Sequence, residues 1–201
     1  MTISAPINNS IDVRLPNTPE LVDDPKVFNE LLMVYQAIKN LQAAAASNAT
    51  TAATSINQIL HVREEQPAST NGGSSVVGNQ VRILNTVVSN TIPGASLAGN
   101  QITLPLGKYQ INASAPTYTA NQHRIRLINI TDAVVVLLGS SEYAVAATTD
   151  RSLLIGVFNI TATKSFNITH FTSVAIANGL GVNSADTFIE VFTNVIITKI
   201  G

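Results

Sequence analysis

The sequence predicts a mainly β protein: a C-terminal β-sandwich of jelly-roll type, preceded by an extended N-terminal arm and a helical, coiled-coil-like stalk. From Val77 onward, short segments that alternate apolar and polar residues recur at near-regular spacing, without a helical pattern between them. Between Asp24 and Leu60, apolar or small residues recur at alternating three- and four-residue steps, which is a helical period. The predicted segments are therefore an arm (1–23), a helical region (24–62), a linker rich in Gly and Ser (63–76) and a jelly-roll domain (77–201).

The arm is polar and contains three prolines, and proline and the residue before it both disfavour helix. Apolar and polar residues alternate just before Pro16, at Ile11, Val13 and Leu15. Such a stretch can add an edge strand to another protein. We expect these four residues to form an anchoring arm, and a disordered tail is the alternative.

The helical region opens with Asp24 and Pro25, a capping side chain followed by the helical position that tolerates proline. Its seam consists of Phe28, Leu31, Tyr35, Ile38, Ile56 and Ile59, joined by a line of alanines in the second half. An isolated helix with so little to bury is marginal in water. We therefore expect a bundle between identical chains. The alternatives are a helix packed on its own domain and a break near Ser47–Thr51.

Residues 77–201 contain eight or more predicted strands. Alternation predicts strands near Lys108–Ala113, His123–Ile130, Leu153–Thr161, Lys164–Phe171 and Phe188–Ile200, and a continuous apolar run at Val134–Leu138 predicts a buried strand.

Composition excludes several classes of function. Charged residues make up 11% of the chain, against about 25% in ordinary soluble domains. With a net charge of −1 and no Lys/Arg cluster, we expect no nucleic-acid partner. The absence of cysteine excludes disulfides and thiol chemistry. No apolar run approaches the roughly 20 residues that span a bilayer, and Met1–Pro6 lacks signal-peptide features, so we expect neither membrane insertion nor export.

The sequence also shows no motif of a catalytic or metal site. The histidines, at 61, 123 and 170, show no metal-ligand spacing. We expect His123 to be exposed at a strand end, with a place in a subunit interface as the alternative. No Gly-x-Ser-x-Gly element occurs. We expect no enzyme, no catalytic residue, no cofactor and no metal.

Several segments resemble a known family. The segments are Ile102–Ile111, Arg124–Leu127, Leu153–Phe158 and Phe192–Ile200. In this order they resemble the jelly-roll of tumour necrosis factor and complement globular heads, and more closely the version at the C-termini of bacteriophage fibre and capsid-decoration proteins. The marker is a Pro-x-Gly-x-Tyr element at Pro105, Gly107 and Tyr109. The resemblance covers residues 77–201, and residues 15–25 resemble the N-terminal anchors of phage structural proteins.

The resemblance implies a homotrimer in which three jelly-rolls pack around a threefold axis above a stalk. The chain lacks the aromatic richness of complement-type heads, so no ligand site carries over.

The expected function is structural: a trimeric capsid decoration (cement) protein or short head fibre in a bacteriophage virion, assembled in the host cytoplasm. Its arm would bind the major capsid protein or tail and portal proteins. The alternative is the receptor-binding tip of a tail fibre, where loops 90–100, 116–122, 142–151 and 177–186 contact a host glycan. A secreted lectin-like oligomer is a third reading, and the missing export signal argues against it.

Overall fold

The computed structural model describes residues 25–55 and 58–201, with side chains described for 25–47 and 58–201. The chain divides into two compact units, residues 1–56 and residues 57–201, and each unit is described by itself. Predicted arm residues Ile11, Val13, Leu15 and Pro16, and seam residue Ile56, lie outside the described residues.

The first unit contains helix α1, Pro25–Ser55. The helix is continuous through 47–51, where the sequence would permit a break. In the described part of the chain, no helix has the length and apolarity needed to cross a membrane.

The second unit is built from strands. The described residues form β1 (Ile59–Gln66), β2 (Gly78–Val81), β3 (Thr86–Asn90), β4 (Ser96–Ala98), β5 (Gln101–Leu104), β6 (Gly107–Tyr118), β7 (Asn121–Asn129), β8 (Val134–Leu138), β9 (Glu142–Ala144), β10 (Thr149–Ile160), β11 (Lys164–Thr172) and β12 (Glu190–Lys199).

These strands form two sheets in which every pairing is antiparallel. Sheet 1 has the order β10-β6-β12-β1-β3, and sheet 2 has the order β4-β5-β11-β7-β8, with β2 on β11 and β9 on β7. From β5 to β7 and again from β9 to β12, successive strands alternate between the sheets, as in a jelly-roll. The prediction of a mainly β protein with a jelly-roll sandwich is confirmed.

The core lies between the inner faces of the sheets. Inward residues alternate along β6, where Tyr109, Ile111 and Ala113 are buried while Gln110 and Asn112 are exposed. Removal of such apolar faces from water stabilises the sandwich.

The structure corrects the predicted boundary between helix and sandwich. Ile59, predicted as part of the helical seam, lies in β1 and pairs with Thr198 of β12. Leu60, Val62 and Glu64 are buried, which is the two-residue period of a strand. The step from Ile56 to Ile59 satisfies a helical seam as well, and pairing with β12 and β3 decides in favour of the strand.

The predicted linker is also corrected, because residues after β1 form an ordered loop on the same domain. Gly72 N donates to Gly181 O at 2.9 Å, and Ser75 N donates to Ile176 O at 2.9 Å. A Cβ on Gly72 would lie 2.9 Å from Leu180 O, so this glycine permits close backbone approach. The small residues that indicate flexibility in sequence serve packing here.

Candidate functional site

The marker element, Pro105, Gly107 and Tyr109, lies at one end of the sandwich, where β5 leads into β6. The Tyr109 hydroxyl donates to Pro105 O at 2.7 Å across the turn between β5 and β6. A Cβ on Gly107 would lie 2.7 Å from Lys199 Cε and 3.1 Å from Gly201 O. Lys108 N donates to Gly201 O at 2.8 Å, which ties the C-terminal segment to this turn. The element therefore has a structural role.

The predicted helical seam has an apolar face that α1 does not bury by itself. Phe28 and Leu31 are 45% and 46% exposed, and Ile38 is also exposed. Tyr35 is half-buried, and Lys39 Nζ lies 5.5 Å from the centroid of its ring. These four residues lie on one helix, as predicted, and Ile59 lies in the other unit.

A second exposed apolar surface lies on the sandwich, where β8 and β10 are the edge strands of their sheets. Segment 139–141 joins these edges, because Ser140 N donates to Leu153 O at 2.7 Å. We call this surface the apolar edge; it consists of Val134, Val135, Leu138, Leu153, Ile155 and Val157, all exposed.

The apolar edge corrects one prediction. The run Val134–Leu138 was predicted as a buried strand, but β8 is an edge strand in which only Val136 and Leu137 pack against the core, half-buried, while Val134, Val135 and Leu138 are exposed. An apolar run predicts that a strand has apolar surroundings on both faces, and it does not say whether the same chain supplies them. Several exposed apolar side chains along the edges of a sandwich commonly mark an interface.

A fully buried ion pair lies between the sheets. Arg82 Nη2 lies 2.8 Å from Glu64 Oε2, and both side chains are 0% exposed. Arg82 also donates to Thr193 Oγ1 at 2.7 Å and to Leu180 O at 3.0 Å, and Thr193 donates to the same Glu64 oxygen at 2.8 Å. Burial lowers the pKa of Arg82, while the charge of Glu64 opposes that change. This network connects β1 and β12 to the segment after β2.

A pair of buried histidines lies on the inner face of sheet 2. His123 Nδ1 and His170 Nε2 are 3.1 Å apart, and His170 Nε2 is 3.0 Å from Thr117 Oγ1. Burial lowers the pKa of His170 to about 2, and the charges of Arg82 and His123 act in the same direction. Burial also lowers the pKa of His123, against the opposing charges of Asp150 and Glu142.

The expectation that His123 is exposed is therefore wrong, since the residue is 2% exposed. In the β7–β11 register, Thr172 lies opposite His123 and Ile125 lies opposite His170, so both rings face the core. The local sequence does not contain this pairing. Strands β7 and β11 are neighbours in sheet 2 but far apart in sequence, so the contact between the two histidines depends on the register of these strands.

A pocket of the second unit lies along β7, where its pairing with β8 ends and its pairing with β9 begins. Strand β8 ends at Leu138 and β9 begins at Glu142, and the segment between them turns toward β10. The resulting cavity has a volume of about 680 Å³, and we call it the β7–β9 pocket. Its lining includes two arginines, Arg124 and Arg126, and two aromatic residues, Tyr143 and Phe171. His123, Glu142 and Asp150 also line it.

The receptor-tip alternative includes Glu142, Tyr143 and Asp150 in a loop expected to contact a host glycan, whereas Arg124, Arg126 and Phe171 were not predicted to bind a ligand. Glu142 and Asp150 fall in a predicted loop, 142–151, whose ends the structure assigns to β9 and β10. The available signal was the clustering of Arg124 and Arg126 two residues apart, on one face of a predicted strand. Among the described residues, no group of three His, Cys, Asp or Glu side chains could hold a metal ion.

No family model matches this chain, and no curated protein matches it in sequence. Among solved structures, it is similar to murine APRIL at pH 5.0 (TM-score 0.48, 9% identity, 70% of this chain and 97% of that chain). It is similar to the globular domain of zebrafish complement 1qA protein (0.44, 10%, 71% and 94%) and to Eiger TNF from S. frugiperda (0.49, 9%, 71% and 92%). The likeness concerns the fold alone. None of the three is a bacteriophage protein, and the phage assignment stays a prediction.

Proposed function

We propose that this chain is a non-enzymatic structural protein that assembles as a homotrimer in a bacteriophage virion. The observation that carries the proposal is the apolar edge, where β8 and β10 expose Val135, Leu138, Ile155 and their neighbours to water. Burial of such side chains against another chain contributes on the order of 1 kcal/mol each. An edge of this kind on a sparingly charged chain favours a second copy as the partner.

The helix supports the same proposal independently. Phe28, Leu31 and Ile38 follow a seam of about 3.5 residues per repeat, which suits a bundle of identical helices. Their side chains are exposed on α1. Two separate apolar surfaces in one chain, one on each unit, make stable existence as a monomer unfavourable.

Within the virion, a capsid decoration (cement) protein or short head fibre fits the size of the chain. The arm, with Ile11, Val13, Leu15 and Pro16, would bind the major capsid protein or tail and portal proteins. This part of the proposal comes from the sequence resemblance, because the arm lies outside the described residues.

Assembly is tested first by sedimentation of the purified full chain and of three variants. Ile155→Asp places a charge on the apolar edge, and the double change Leu31→Asp with Ile38→Asp places charges on the helix. Burial of a charge costs several kcal/mol, so we expect each of these two test variants to dissociate at micromolar concentration. Leu106→Asp is the matched control, because Leu106 is 64% exposed and lies outside both surfaces. Trimers that persist in both test variants would refute these interfaces.

Attachment is tested with the source phage. Particles that lack the protein should lose stability or should show missing density on the capsid by electron microscopy. A chain that lacks residues 1–20 should remain trimeric and fail to bind such particles. Normal binding would refute the anchoring role.

The alternative function is the receptor-binding tip of a tail fibre, and the β7–β9 pocket is the observation that favours it. A phage that lacks the protein would then form unchanged particles that fail to adsorb to the host. Loss of capsid occupancy with normal adsorption would exclude this alternative.

A further inference from the structure

The β7–β9 pocket combines three kinds of chemistry in one cavity of about 680 Å³. Pockets for small ligands commonly have volumes of about 300–1,000 Å³ and contain a few convergent polar groups. The three kinds are two guanidinium groups, two aromatic rings and two carboxylates. Each restricts the class of ligand.

The guanidinium groups are available to an anion. Arg124 Nη2 donates to Ser141 Oγ, and Arg126 Nη1 donates to Asn79 Oδ1 at 2.9 Å. Neither arginine has an acidic partner among the described residues. Arginine binds a carboxylate through two parallel hydrogen bonds. The arginine side therefore selects a ligand with a carboxylate or a similar planar anion.

The aromatic rings provide a flat apolar surface beside the cations. Arg126 Cζ lies over the Phe171 ring, 5.7 Å from its centroid, so this ring supports the guanidinium. Tyr143 also lines the pocket, and its side chain is about half exposed. Rings of this kind pack against the C–H face of a cyclic ligand, and the tyrosine hydroxyl adds a hydrogen-bonding group.

The carboxylates select against a ligand with many negative charges. Glu142 and Asp150 have no cationic partner among the described residues. They are acceptors for hydroxyl groups and repel phosphate oxygens. His123 also lines the pocket, but its ring is 2% exposed and faces the core, so we assign it no contact with the ligand.

From this combination we propose that the β7–β9 pocket binds a carboxylated sugar, with the carboxylate on Arg124 and Arg126, the ring on Tyr143 beside the Arg126–Phe171 stack, and the hydroxyls on Glu142 and Asp150. A nucleic acid or a free phosphate satisfies the arginines but not the carboxylates. A neutral sugar satisfies the carboxylates and the rings but leaves the arginines unpaired. The inference goes beyond the assembly role, and it supplies a ligand class for the receptor-tip alternative.

The test is calorimetric titration of the full-length chain with D-glucuronic acid and with N-acetylneuraminic acid, beside D-glucose and acetate at equal ionic strength. We expect saturable binding of at least one acid sugar, at least about tenfold tighter than glucose or acetate, because only the acid sugar meets all three sets of groups. Arg126→Gln should weaken this binding by about tenfold or more. Arg63→Gln is the matched control, because Arg63 lies on sheet 1 outside the pocket, and it should leave binding unchanged.

Three results would overturn the inference: no saturable binding of either acid sugar, equal binding of acetate and acid sugar, or equal effects of Arg126→Gln and Arg63→Gln. Sedimentation of the same samples separates the two proposals. A trimer that binds no sugar contradicts the pocket inference only, and a monomer that binds sugar contradicts the assembly proposal only.

Discussion

Removal of Arg82 should destabilise the sandwich far more than removal of an exposed arginine. Arg82→Met removes the two hydrogen bonds that Arg82 Nη2 donates to Glu64 Oε2 at 2.8 Å and to Leu180 O at 3.0 Å. Glu64 is 0% exposed, so its carboxylate would keep only the Thr193 hydroxyl as a partner. An uncompensated buried charge costs about 3–5 kcal/mol. We expect a loss of that size in the free energy of unfolding.

Glu64→Met should cost a similar amount, because it leaves the Arg82 guanidinium buried without its counter-ion. The double variant should lose less than either single variant, by about 2 kcal/mol or more, since no uncompensated charge remains. This non-additivity is the specific signature of the buried pair. A simple loss of packing volume would instead add up across the two positions.

The assay is equilibrium urea unfolding at one fixed protein concentration, since an oligomer's stability depends on concentration. Tyrosine fluorescence can follow it, because the chain has four tyrosines and no tryptophan. Arg63→Met is the matched control: the Arg63–Glu65 pair is 2.6 Å long, with side chains 27% and 24% exposed. It should cost at most about 1 kcal/mol. Equal losses for Arg82→Met and Arg63→Met, or additive losses in the double variant, would refute the reasoning.

Three further predictions concern other parts of the chain. The unfolded chain protonates His170 near its ordinary pKa of 6.5 and the folded chain only near 2, so the free energy of unfolding should fall by about 2 kcal/mol from pH 7 to pH 5. His170→Gln should make that fall smaller in urea titrations, with His123, whose pKa burial also lowers, contributing the remainder, and His61→Gln should keep it. Tyr109→Phe should cost about 1 kcal/mol in the same assay, through loss of the bond to Pro105 O, and no change would deny the bond a role. Gly139→Ala should cost about 1–3 kcal/mol, because its Cβ would lie 2.8 Å from Leu153 O, and an unchanged urea midpoint would refute that crowding.

Much of the sandwich could be predicted from the sequence because its long strands carry their own period. Along β6, buried Tyr109, Ile111 and Ala113 alternate with exposed Gln110 and Asn112, and that pattern is local. Strand β1 was not predicted, because its residues do not show a regular alternation of apolar and polar side chains. Its inward residues are Leu60, Val62 and Glu64, and a buried glutamate breaks the apolar alternation. The partner that permits burial, Arg82, lies 18 residues away on another segment.

The candidate site was less predictable than the fold, because its groups come together only through register and a sheet opening. His123 and His170 are 47 residues apart in sequence. The β7–β9 pocket needs the short break between β8 and β9, which local composition indicates only as a turn. Exposure of Val134, Val135 and Leu138 could not be predicted either, because an apolar run gives no information on whether its partner is the same chain or another copy.

Sedimentation equilibrium of the purified full-length chain at micromolar concentration tests the central claim most directly. The assembly proposal predicts one species with the mass of three 21.2-kDa chains, and a shift toward monomer on Ile155→Asp but not on Leu106→Asp. A wild-type monomer at that concentration would contradict it.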